Sequence, residues 1–329
     1  MINGDPIKIG KINCQLELGK WSISKINEML NFSVKEYPEK KDKIAYIVSR
    51  LIGTPFEFES NLPILPRNTL RVRLSTLDCI TFVYTVLALA NSSNFEEFLS
   101  SLITLRYKED AKGGIDNHPD TGNIFDFAYE SFLMNAIEKG FLKDVTFDLI
   151  KKEKLIKVSV ELARFRRSEL KDSEQLYVRP RYGERTVTDY FLAKEDLDSV
   201  NPENLQSGDL ILMTKGPFNS SGERNPTLIT HLAICHMEGK NIYFCQSTRH
   251  FSWRPYANSD SPPDYTGIFY DNENKKEQIG IGVAGMFVGP SQNTILNGDT
   301  YFGFDQGRKR SLKDYLEFNA IGVKFLRPI

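Results

Sequence analysis

The stretch that most constrains the fold is Leu74-Ser-Thr-Leu-Asp-Cys-Ile-Thr-Phe-Val-Tyr-Thr-Val-Leu-Ala-Leu-Ala90, an apolar segment with one reactive side chain, Cys79, at its mouth. Ile80, Val83, Leu87 and Ala90 recur at helical spacing, and Phe82, Val86 and Leu89 widen that face. A helix apolar over so much of its circumference has to be buried, so a core must be built around it. Ser75 followed three residues later by Asp78 has the spacing of a capping box and predicts the helix start. Cys79 then falls in the first turn, where unsatisfied backbone N–H groups and the helix dipole favour an anion. Such a position lowers a thiol pKa from about 8.5 toward roughly 3.5–7.5. A core cysteine fits the same stretch, since free cysteine is among the most buried residue types. The stretch alone leaves nucleophile and core residue both open.

Around this helix the chain has the length, 329 residues, of one large domain or two small ones. With 42 basic against 43 acidic residues, nothing points to nucleic acid or an anionic membrane as the main partner. No apolar run approaches the ~18 residues of a transmembrane segment. The opening Met-Ile-Asn-Gly-Asp-Pro lacks the basic-then-apolar pattern of a signal peptide. Four scattered cysteines, Cys14, Cys79, Cys235 and Cys245, do not make a disulfide scaffold.

The pattern is helical first and extended later. Residues 1–70 are expected to be mainly helical, with helices over Trp21–Phe32 and Lys43–Ile52. Helices are also expected over Phe95–Tyr107, Ile124–Gly140 and Leu312–Phe318. Residues 145–200 are mixed and rich in charge. Strands are expected at Leu210–Thr214, Thr230–Met237, Lys240–Thr248 and Gly322–Leu326. Residues 251–310, rich in Gly, Pro, Asn and Asp, read as long loops with one strand at Gly280–Val288.

A thiolate nucleophile needs a base, and the base an orienting group. The histidines are His118, His231, His236 and His250. His118, before a proline in a polar loop, suits a solvated role. His231 opens a strand directly after a loop, where a side chain meets the rim of a cleft. A two-residue turn at Glu238-Gly239 would set His231 opposite Gln246 on the same face, with Cβ atoms about 4.5–5.5 Å apart. A slip of one residue would bring Ser247 there instead. Gln246 Oε1 would then hold one ring nitrogen and leave the other for Cys79. A strand-edge histidine and a satisfied sheet glutamine fit the same pattern. A metal site at Cys235, His236, Cys245 and His250 is disfavoured, because neighbours on a strand leave opposite faces and no C-x-x-C pair is present.

Several of these segments together resemble a known family. They are Leu77-Asp-Cys-Ile-Thr-Phe-Val83, Ser207-Gly-Asp-Leu210, Ile229-Thr-His-Leu-Ala-Ile234 and Phe244-Cys-Gln-Ser-Thr248. They resemble the NlpC-type, papain-like cell-wall cysteine hydrolases. Leu51-Ile-Gly-Thr-Pro-Phe56, Leu105-Arg-Tyr107, Leu312-Lys-Asp-Tyr315 and Gly322-Val-Lys-Phe-Leu-Arg327 are similar to the N-acetylmuramoyl-L-alanine amidase-like subfamily. The matches run from about residue 44 to 327, with 251–310 as an insertion in a single catalytic domain.

The resemblance implies an α+β, papain-like fold, its nucleophile helix packed on an antiparallel sheet that carries the histidine. It implies Cys79 as nucleophile, His231 as base and Gln246 in the third polar position, where histidine is commoner in such enzymes. It implies hydrolysis of the N-acetylmuramoyl-L-alanine amide in muropeptides without metal or cofactor, in a periplasmic or secreted setting, although a cytoplasmic one stays open without a leader. Stem peptides carry carboxylates, so cleft cations are expected. Arg106, Arg179 and Arg181 are candidates, with Tyr107 and Tyr182 as aromatic walls. Trp253 and Tyr256 are candidates for stacking on sugar. The alternatives are a γ-D-glutamyl-diamino acid endopeptidase, an acyltransferase using the same pair, and a non-catalytic peptidoglycan-binding module.

Overall fold

The computed structural model describes residues 7–51, 54, 69–106, 133–162, 165–166, 177–178, 185–218, 222, 228–238, 241–246, 266–271, 276–281, 316 and 320–329. In chain order, β1 (Ile7–Ile9) and β2 (Ile12–Glu17) precede α1 (Ile23–Glu36) and α2 (Lys40–Leu51). Then come β3 (Thr69–Arg73), α3 (Cys79–Ala90), α4 (Phe95–Arg106), α5 (Met134–Glu138), β4 (Leu142–Asp144) and α6 (Thr146–Leu149). The β-rich remainder is β5 (Leu155–Leu162), β6 (Phe165–Arg166), β7 (Tyr177–Val178), β8 (Arg185–Ala193), β9 (Leu210–Thr214), β10 (His231–Glu238), β11 (Asn241–Cys245), β12 (Thr266–Asp271), β13 (Lys276–Ile281) and β14 (Gly322–Pro328).

The helix that organises the chain is α3. Every residue from Thr81 to Ala90 is buried, as an all-round apolar helix requires. Its start differs from the expectation. Asp78, not Ser75, is the N-cap: Asp78 accepts from the Thr81 N–H at 2.7 Å, and the Asp78 N–H donates to Thr81 Oγ1 at 2.6 Å. The box is closed by a hydroxyl at the third helical position rather than by Glu or Gln, which the usual pattern does not include. Cys79 is therefore the first helical residue.

The expected N-terminal helices are α1 and α2, but the segment before them is a sheet. β2 pairs antiparallel with β1 and parallel with β3, with Cys14 opposite Leu70. The alternation of buried Ile12 and Cys14 with half-buried Asn13 and Gln15 is short, and its partner β3 lies far along the chain, so the strand is a tertiary product. Of the strand expected at Gly280–Val288, the described residues Gly280 and Ile281 belong to β13, Lys276–Ile281, paired with β12; the rest lies outside the described residues. Of the helices expected at Ile124–Gly140 and Leu312–Phe318, the described parts are α5 and a helical Leu316.

The main sheet runs β11-β10-β9-β14-β8-β5, antiparallel throughout, with β4 also paired to β14. Its residues alternate between two cores. Leu210, Leu212, Leu232, Ile234 and Leu326 join α1 to α4 on one side. Ile211, Met213, Ala233, Cys235, Val323 and Phe325 pack with Leu197, Val200, Leu205 and Leu316 on the other. β9, buried at all five positions, is central on both counts.

Three ion pairs tie the sheet together. β14 is bordered by β8 at Gly322–Val323 and by β4 at Leu326–Pro328. Lys324 lies at the changeover. Its Nζ donates to Asp189 of β8 (2.7 and 2.8 Å) and sits 2.7 Å from Asp144 of β4. Arg327 forms a fork with Asp209 (2.8 Å twice), joining the end of β14 to the turn before β9.

Candidate active site

The site is assembled where the start of α3 meets the start of β10. Cys79 is half-buried, whereas Cys14, Cys235 and Cys245 are buried, and all four are free thiols. Burial first, and the Asp78 carboxylate second, push the Cys79 thiol up to about 12; the main-chain N–H groups of Leu232, Ile80 and Cys79 favour the thiolate but do not prevail. Leu232 directly follows His231, so these contacts bring the sulfur to the head of the strand that carries the imidazole.

The helix-terminus argument predicts a lowered thiol pKa, and the structure reverses it. A cap with a net negative charge stands beside the sulfur, and the surroundings are apolar. In His231, burial lowers the imidazole from 6.5 to about 4; the bond to Gln246 opposes this, and the Lys215 ammonium adds to it. At neutral pH the two groups therefore rest as a thiol and a neutral imidazole.

His231 Nε2 is hydrogen-bonded to Gln246 Oε1. A carboxamide oxygen only accepts, so Nε2 carries the proton and Nδ1 is the basic nitrogen. Gln246 is 1% exposed, which fixes the orientation of both side chains. The route by which they meet differs from the expected one. Glu238 still pairs with Asn241, and Ile234 with Cys245, so the register is offset by two residues from a turn at Glu238-Gly239. An offset of two preserves the face. Gln246 thus lies diagonal to His231 instead of directly opposite, and Ser247 lies outside the described residues. Cys235 and Cys245 fall in separate cores, on opposite sides of the sheet.

Arg106 is placed differently from a cleft cation. It is 4% exposed, donates to the Arg71 carbonyl at 3.2 Å, and stands 5.8 Å from the centre of the Tyr84 ring. It is engaged in the packing of α4 and β3. Tyr107, Arg179, Arg181, Tyr182, Trp253, Tyr256, His118 and His250 lie outside the described residues, as does the side chain of His236. Two contributors were missed by sequence reasoning. The Leu232 N–H has no side-chain signature at all. Lys215 becomes visible only when β9, which it follows, is paired with β10. Among the described residues no group of three or more His, Cys, Asp or Glu side chains could hold a metal ion, and no helix is long and apolar enough to cross a membrane.

The family model described as AmiA-like, N-acetylmuramoyl-L-alanine amidase-like, matches residues 46–253, which include Cys79, His231 and Gln246. Among solved structures, a Legionella pneumophila protein superposes with a TM-score of 0.56 at 15% identity, covering 93% of this chain and 94% of its own. An N-acetylmuramoyl-L-alanine amidase from Bacteroides uniformis superposes with a TM-score of 0.50 at 16% identity, covering 87% of this chain and 98% of its own. At these identities the likeness is one of fold. No curated protein matches the chain.

Proposed function

Because the chain belongs to the AmiA-like family of N-acetylmuramoyl-L-alanine amidase-like proteins, we propose that it is a cysteine amidohydrolase of NlpC-type, papain-like design that releases the stem peptide from muropeptides. The observation that carries this reading is the placing of the Cys79 sulfur at the Leu232 N–H, one residue from an imidazole whose Nε2 is held by Gln246. The expected single catalytic domain and the periplasmic or secreted setting are part of the same reading.

The chemistry follows from the resting protonation states. Neutral His231 takes the Cys79 proton at Nδ1 as the sulfur attacks the lactyl carbonyl carbon. This general-base step avoids forming a buried ion pair beforehand. The oxyanion is stabilised by main-chain N–H groups at the first turn of α3, which has no preceding carbonyls to bond. The imidazolium then gives its proton to the leaving alanyl nitrogen, the C–N bond breaks, and a thioester remains. Water, deprotonated by His231, attacks the thioester, the C–S bond breaks, and the imidazolium returns the proton to the Cys79 sulfur. Gln246 keeps Nε2 protonated throughout.

The test is a pair of substrates, a muramyl-tetrapeptide and the free tetrapeptide, with products identified by mass. Release of intact tetrapeptide from the first, absent with Cys79→Ala, is the expected result. Cleavage of the free tetrapeptide after D-glutamate would instead identify a γ-D-glutamyl endopeptidase. Binding without turnover would identify a non-catalytic module.

A further inference from the structure

His231 has a diagonal neighbour on each side. Directly after β11 comes Gln246. Directly after β9 comes Lys215, two residues beyond Met213, which is paired directly with His231. Diagonal positions on one face lie about 7–8 Å apart, within reach of a long side chain. Lys215 is exposed, and among the described residues it has no carboxylate partner.

The turn that carries Lys215 is fixed. The Gly216 N–H donates to Thr214 Oγ1 at 3.1 Å, and the Ile321 N–H donates to the Thr214 carbonyl at 2.8 Å. Gly216 has φ +80, and a Cβ there would stand 2.7 Å from Ile321 Cδ1. That positive φ favours glycine. Lys215 is thus flanked by a buried threonine and a buried glycine, and is itself the only one of the three turned to solvent. An anchored turn holds its backbone while the four-carbon stem remains free to follow a ligand.

We propose that Lys215 is a specificity residue that binds a carboxylate of the departing peptide. The proposal rests on the amidase reading for the direction of the substrate. His231 protonates the leaving nitrogen, so groups beside His231 line the leaving-peptide side. In a stem peptide the residue after L-alanine is D-glutamate, linked onward through its γ-carboxyl, which leaves its α-carboxylate as the nearest anion. The ammonium is close enough to His231 to disfavour its protonation. A bound carboxylate would offset that effect and so make the imidazole more basic when substrate is present.

The experiment uses calorimetry on the full chain, with L-alanyl-D-glutamate and its α-carboxamide as probes. Expected is a preference of roughly three- to tenfold for the acid, the range of a partly exposed charge-assisted contact. In Lys215→Gln the preference should disappear, with the thermal unfolding midpoint unchanged. In turnover of the corresponding muramyl dipeptides, the same variant should bring the acid-over-amide ratio of kcat/KM toward one. Equal binding of acid and amide by the unaltered protein, or an unchanged preference in Lys215→Gln, overturns the assignment. Because the binding measurement does not depend on which bond is cut, failure of the muramyl amide to be hydrolysed would count against the amidase reading alone.

Discussion

The Cys79 sulfur lies against the main-chain N–H of Leu232, so the first turn of α3 meets the first residues of β10. The contact couples two segments far apart in the chain through a backbone group that is insensitive to sequence. It also sets the electrostatic problem of the site. Three N–H groups favour the thiolate, and burial together with Asp78 holds the proton on sulfur.

The first consequence concerns pH. With His231 brought down to about 4, the proposed base stays neutral across the neutral range, and kcat/KM should fall only as pH drops through about 4. Alkylation of Cys79 by iodoacetamide should climb steadily on the alkaline side, with no plateau below pH 7. Cys79 should still react before Cys14, Cys235 and Cys245, which are buried. A low-pH plateau would reveal a preformed thiolate–imidazolium pair.

The same group links stability to pH. Its folded pKa is below the unfolded value of 6.5, so between pH 6.5 and about 4 the unfolded chain binds more protons. The contribution of neutral His231 is complete above 6.5 and is lost as pH falls through this window, by about 2–3 kcal/mol. Urea denaturation at pH 7 and pH 4 should show a smaller decline in His231→Gln than in the unaltered protein. Equal declines would place the sensitivity elsewhere.

Asp78 performs two tasks that substitution can separate. Asp78→Asn keeps an N-cap acceptor but removes the charge, so stability should change by no more than a few tenths of a kcal/mol, while alkylation of Cys79 at pH 8 accelerates. Asp78→Ala should cost about 1 kcal/mol through the lost cap. If Asn leaves the alkylation rate untouched, the carboxylate does not act on the sulfur.

Gln246→Glu should place a negative charge on His231 Nε2–H and stabilise the imidazolium. The acid limb of kcat/KM should then move to higher pH by about one unit or more. Gln246→Ala should reduce the rate less than His231→Ala, because it removes orientation and leaves the base in place. An unshifted acid limb in the glutamate variant would show that Gln246 does not govern the imidazole.

Lys324→Ala should destabilise the fold by about 3–5 kcal/mol, since it strands Asp189 beside a partly buried Asp144. The loss should appear as a lower urea midpoint with the slope unchanged. A shift under 1 kcal/mol would mean that the junction of β4, β8 and β14 does not depend on this lysine.

Local signals were legible wherever one element carried its own pattern. α3 announced itself by apolar periodicity, and β9 and β10 by apolar runs between turn residues. β5 also had a readable pattern, with Val158 and Val160 buried between exposed Lys157, Ser159 and Glu161. Surrounding charge obscured that alternation. The register of β10 and β11 was read two residues short because Glu238, a polar residue before glycine, looked like a turn but remains in the strand.

What the sequence determined by itself is the buried helix with a cysteine at its first turn, a histidine opening a strand, and a glutamine of matching parity nearby. Parity survives an error of two residues because side chains on a strand repeat with period two. What only the tertiary structure decided is the chemistry those residues rest in. Whether a helix terminus favours a thiolate depends on how much water the fold removes and on which charges it leaves close by. Here burial and Asp78 keep the sulfur protonated, burial and Lys215 keep the imidazole neutral, and Arg106 is drawn into the packing of α4. Desolvation and through-space charge depend on which residues the fold brings together, and neighbours along the chain do not reveal it.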